Sequence, residues 1–90
     1  STEAKDAALK GIVGAINSAS AINYATRTIS TTKGTKIVGG DQCDTKVTAI
    51  LEGGIPTGYT VNTGTVTGGC TVTQTGGGGP SAVSVTVTTQ

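Results

Sequence analysis

Small and aliphatic side chains recur at helical spacing from residue 4 to residue 29: Ala4, Ala8, Gly11, Ala15, Ser18/Ala19, Ile22, Ala25 and Ile29. Steps of three and four put these positions on one side of an α-helix. The run covers about seven turns, roughly 39 Å at 1.5 Å per residue. In a chain of 90 residues such a helix limits the rest to a small body lying against it. After residue 30 the chain turns to Thr, Gly and Val, the residues of strands and turns. The expected class is α+β: a long N-terminal helix packed on a small three- to four-stranded antiparallel sheet, with a short second helix.

That body has modest means of holding itself together. The chain lacks Phe, Trp and Met, and its aromatics are Tyr24 and Tyr59, so the core must come from Ile, Val, Leu and Ala. A domain this small buries a limited fraction of its surface, and no large rings add to it. A covalent staple between Cys43 and Cys70 fits the need, and closing that loop should stabilise by about 3–4 kcal/mol; the alternative is two free buried thiols. Two cysteines without histidine supply too few ligands for a metal site, and no cofactor is expected. A disulfide implies an oxidising compartment: periplasm, cell surface or outside the cell.

The helix carries a second apolar patch. With residues placed 100° apart, Leu9, Ile12, Val13 and Ile16 lie nearly opposite the long stripe, with Glu3, Asp6, Lys10 and Asn17 between. Lys5, Ser20, Asn23 and Arg27 bound the patch along its own line. A helix resting on one sheet needs one apolar side. Either a loop of the same chain covers the second patch, or another subunit does; exposed apolar patches mark interfaces, so Leu9, Ile12, Val13 and Ile16 are the candidate subunit contact. The sheet is then expected on the small-residue stripe. Gly11 and Gly14 weaken the helix locally or permit close packing or a bend.

The expected layout is a single domain over 1–90, with helix 2–30, connecting loop 31–42, short helix 43–52 and β-meander 57–89. Asp41 or Gln42 is placed to cap the second helix, Val47, Ile50 and Leu51 to face the core, and Gly53-Gly54 to end it. Alternation puts Val66, Cys70 and Val72 inward on one strand and Val83, Val85 and Val87 on one side of another. Gly68-Gly69 suggests a bulge, and residues 76–80 a turn. The start at Ser1-Thr2-Glu3-Ala4 reads either as an N-cap or as a point inside a longer helix.

Chemistry-bearing patterns are missing. Without His there is no Ser-His-Asp or Cys–His catalysis, and no enzyme activity is expected. Glu3, Asp6, Asp41, Asp44 and Glu52 form no carboxylate pair; Asp41, Asp44 and Glu52 do not converge as a calcium loop would. The glycines at 76–79 precede Pro80 and a strand instead of a helix, so they are not a phosphate loop. A net charge of +1 with scattered lysines gives no basic patch for nucleic acid, and no membrane span is present.

Residues 7–27, Ala-Ala-Leu-Lys-Gly-Ile-Val-Gly-Ala-Ile-Asn-Ser-Ala-Ser-Ala-Ile-Asn-Tyr-Ala-Thr-Arg, resemble the back half of the N-terminal helix of type IV pilins. The similarity is to small pilins of the mannose-sensitive haemagglutinin group. Residues 48–61, Thr-Ala-Ile-Leu-Glu-Gly-Gly-Ile-Pro-Thr-Gly-Tyr-Thr-Val, are similar to their second helix and first strand, as is the Cys-bearing strand that follows. The resemblance implies a strongly apolar half-helix upstream of Ser1, processed by a prepilin peptidase and carrying a glutamate near its new N-terminus. No residue here inherits those roles. One departure stands out: many type IV pilins close a C-terminal loop with their cysteine pair, whereas Cys43 precedes the second helix and Cys70 lies in the second strand. A bond between them would staple helix to sheet, which removes the ground for an adhesive role based on such a loop.

The resemblance implies a structural subunit of an extracellular, cell-surface type IV pilus, held in the inner membrane before assembly and partnered by copies of itself, supporting attachment or motility. The alternatives are a pseudopilin of a type II secretion system and a minor adhesive pilin; the scarcity of aromatic platforms for sugars counts against the latter.

Overall fold

The computed structural model describes residues 2–76 and 82–90. The elements are α1 (Thr2–Ile29), α2 (Cys43–Ile50), β1 (Tyr59–Val61), β2 (Cys70–Gln74) and β3 (Val83–Val85). The chain is α+β, with extents of 43 × 20 × 17 Å. The long dimension matches the 28 residues of α1, about 42 Å at helical rise. Glu3 lies in the first turn of α1 and Arg27 in the last, where each sign of charge suits the helix dipole. Ser1, where one of the two readings of the start places an N-cap, and all but Gly76 of the turn expected at 76–80 lie outside the described residues.

The three strands form an antiparallel meander in the order β1-β2-β3. Val61 sits opposite Val72, and Cys70 opposite Val85. These four side chains are buried, and with Leu9, Ile16, Ile37, Cys43, Val47 and Val66 they make the core. Ile12, Val13, Ile50, Leu51, Ile55, Tyr59 and Val87 pack around it, half-buried. The strands are shorter than alternation suggests. Residues 65–69 are turn and loop, tied down by a bridge between Gln42 and Thr65, so Val66 reaches the core from a loop. At the third strand, Val85 is buried but Val83 is exposed.

The sheet packs on the opposite face of α1 from the one expected. Leu9 and Ile16 are fully buried and Ile12 and Val13 lean on the same core, while Ala4, Ala8, Gly11, Ala15, Ser18, Ile22, Ala25 and Ile29 are exposed. Area explains the choice. Fully burying a Leu, Ile or Val gains roughly 1.5–3 kcal/mol, and the patch holds four such side chains in eight residues. A stripe of alanines and glycine offers little area per turn, despite its greater length.

Beyond Ile16 the buried line of α1 continues in polar residues. Ser20 and Asn23 are buried. The extended backbone beside them supplies their partners: Thr86 donates its N–H to Asn17 Oδ1 at 2.7 Å, Thr88 to Ser20 Oγ at 2.8 Å and Thr35 to Asn23 Oδ1 at 2.8 Å. These acceptors stand three residues apart along α1. Buried backbone amides need partners, and here helix side chains replace a neighbouring strand.

At the start of α2, neither Asp41 nor Gln42 acts as a side-chain cap. Gln42 is the N-cap residue, extended, with no side-chain cap hydrogen bond. The first amides go instead to the β1–β2 connection, Cys43 N–H to the Gly64 carbonyl at 2.9 Å and Asp44 N–H to the Asn62 carbonyl at 3.1 Å. Asp41 is spent on its own loop, where Oδ2 accepts the Val38 N–H at 2.8 Å. The helix ends at Ile50, and Gly53 and Gly54 follow with φ of 80° and 77°, a reversal that glycine tolerates without strain.

Candidate functional site

No group of three His, Cys, Asp or Glu side chains gathers among the described residues. Asp41 accepts the Val38 N–H through Oδ2, which lies 3.7 Å from Lys46 Nζ. No helix among the described residues is long and apolar enough to cross a membrane.

Cys43 and Cys70 form the disulfide, with Cα atoms 5.5 Å apart. The bond joins the first residue of α2 to the first residue of β2, and both cysteines are buried. The staple from second helix to sheet is therefore present.

The proposed contact Leu9, Ile12, Val13 and Ile16 requires correction. Leu9 is 1% exposed and Ile16 0%, so neither reaches a neighbouring molecule while the chain is folded. Ile12 and Val13 are half-buried against the same core. The sheet and the segments flanking it cover the patch.

What α1 leaves open is the long stripe. Its small members are exposed along the helix except Ala19, which is half-buried, and its two large ones protrude, Ile22 at 67% and Ile29 at 87% exposure. Gly11 and Gly14 have nothing within 4 Å of the position a Cβ would take, so the backbone is bare there. Near the middle, α1 and the end of α2 flank an open groove of about 590 Å³, lined by Ala15, Ala19, Ile22, Ala49 and Leu51 with Glu52 beside them. Groove and stripe form one continuous surface through Ala15, Ala19 and Ile22.

The stripe was legible as a pattern, but its partner was misassigned. Helical spacing alone does not say which of two apolar sectors faces inward; side-chain volume does. Ser20 and Asn23 carried a signal as well, since they continue the Leu9–Ile16 line at steps of four and three. Being polar, they read as its edge. No protein family, curated protein or solved structure matches the chain.

Proposed function

We propose that the chain is a structural subunit of an extracellular filament of the type IV pilus kind, assembled from copies of itself through the outward face of α1. The observation that carries this reading is the exposed small-residue stripe on α1, running from Ala4 to Ile29 on the side away from the sheet. Small side chains let helix backbones approach closely, and a repeated contact between different surfaces, with a rotation that does not close, grows an open filament. The resemblance of residues 7–27 and 48–61 to type IV pilins supports the same reading. The buried disulfide suits an oxidising destination. In this reading an apolar helical extension precedes Ser1 and holds the subunit in the inner membrane until assembly.

The test is a charge in the middle of the stripe. Ala15→Glu, introduced in the gene as it occurs in its own cells, should abolish surface filaments seen by negative-stain electron microscopy, while residues 1–90 bearing the same change keep their thermal midpoint. Normal filaments with Ala15→Glu would overturn the proposal.

A further inference from the structure

The segment after β3 is extended, so its alternate N–H groups point the same way. Thr86, Thr88 and Gln90 donate these to Asn17 Oδ1, Ser20 Oγ and the Ile37 carbonyl, the last at 3.1 Å. Gln90 Oε1 in turn accepts the Ile37 N–H at 3.1 Å. Two residues earlier Thr35 is held by Asn23 through both its N–H and its carbonyl, each at 2.8 Å. The C-terminal segment, residues 35–37 and the polar face of α1 are thus tied into one network. Apart from Ile37, the one core side chain these segments contribute, and half-buried Val87, what holds them is polar. The β1–β2 pair differs in kind. It combines a backbone ladder, buried Val61 and Val72, and the disulfide at the first residue of β2.

We infer that residues 86–90 form a strap that, with residues 35–37, opens from α1 as one cooperative unit while β1, β2 and the Leu9–Ile16 half of the helix stay folded. Local openings follow such divisions between polar-held and core-held segments. The opening bares the Asn17, Ser20 and Asn23 oxygens along α1, a slot shaped for extended backbone and refilled by the same segments. This inference is independent of filament assembly.

Native-state hydrogen exchange followed by NMR tests it on the intact chain. The amides of Thr35, Ile37, Thr86, Thr88 and Gln90 should share one opening constant, at least tenfold larger than that of the β1–β2 ladder and nearly independent of low denaturant. Ser20→Ala, which removes one acceptor, should accelerate all five amides about five- to tenfold and leave the ladder amides unchanged. Asn17→Ala, at a less buried position, should do the same and serves if Ser20→Ala fails to fold. Equal opening constants for strap and ladder would overturn the inference. So would acceleration confined to the one amide that lost its acceptor, because the strap would then fray residue by residue.

Discussion

The side-chain amide of Asn23 pairs with both backbone polar groups of Thr35: Nδ2 donates to the carbonyl and Oδ1 accepts the N–H, each at 2.8 Å. This is the hydrogen-bond pattern of a strand neighbour, presented by a helix side chain. It fixes where the connection between α1 and α2 departs, and Arg27 extends the hold by donating from one guanidinium nitrogen to the carbonyls of Thr31 and Lys33. Asn23→Ala removes both bonds and leaves part-buried backbone groups unpaired. At about 1 kcal/mol per bond, the variant should lose about 2 kcal/mol in urea unfolding. A loss below about 0.5 kcal/mol would show that water replaces the amide without cost.

Gly34 sits against the same clasp. Its φ is +75°, and a Cβ there would lie 2.9 Å from Asn23 Oδ1 and 3.2 Å from the Arg27 side chain. Gly34→Ala therefore combines left-handed strain of roughly 1–2 kcal/mol with a crowded pair of hydrogen bonds. It should lower the denaturation midpoint more than Gly40→Ala, where nothing lies within 4 Å of the added carbon. Equal effects would count against the backbone conformation at 34.

The two faces of α1 predict opposite mutational behaviour. Leu9 is fully buried, and Leu9→Ala should cost about 2–5 kcal/mol through lost transfer energy and the cavity left behind. Ile29 is 87% exposed, and Ile29→Ser should fall within about 0.5 kcal/mol of the parent. Had the sheet packed on the small-residue stripe, the order would reverse. Thermal unfolding of the two variants decides between the faces.

The sequence carried α1, α2 and the antiparallel meander because each announces itself locally, by three-and-four spacing, by glycines after Leu51 and by alternating valines. It did not carry the orientation of α1. Period identifies stripes, but burial is decided by area and by what the rest of the chain can satisfy. Leu9 and Ile16 win on area. Ser20 and Asn23 are buried because Thr88 and Thr35 bring unpaired backbone N–H groups to them, and those partners lie 68 and 12 residues away. The short third strand has the same origin: after Val85 the backbone exchanges β2 for α1 as its hydrogen-bond partner, a switch that continued alternation at Val87 conceals. The small-residue stripe is legible by its spacing, but it lies exposed where the sheet was expected, while Leu9 and Ile16 of the second patch are buried.

Removing the disulfide should weaken the fold without dissolving its topology. Cys43 and Cys70 are 27 residues apart, and a loop of that size contributes about 3.5 kcal/mol by loop-closure entropy. Small domains have total stabilities of about 5–15 kcal/mol, so reduction takes a large share. A paired Cys43→Ala, Cys70→Ala chain should show a midpoint well below that of the oxidised parent and close to that of the parent treated with reductant. An unchanged midpoint relative to the oxidised parent would mean that the bond constrains nothing the core does not already hold.

Gly11 and Gly14 separate the stability of the chain from its proposed assembly. Both lie inside α1, and a Cβ at either meets nothing within 4 Å. Glycine in a helix interior costs about 1 kcal/mol relative to alanine, so Gly11→Ala and Gly14→Ala should each stabilise the isolated chain by about that amount in thermal or urea unfolding. If neighbouring helices approach this face, the added methyls hold them apart. The double variant should then be the more stable chain and the poorer filament former, as counted by electron microscopy on cells producing it. Stabilisation with undiminished filaments would remove these two positions from the contact, and Ala15, Ala19 and Ile22 beside the groove would remain to account for it.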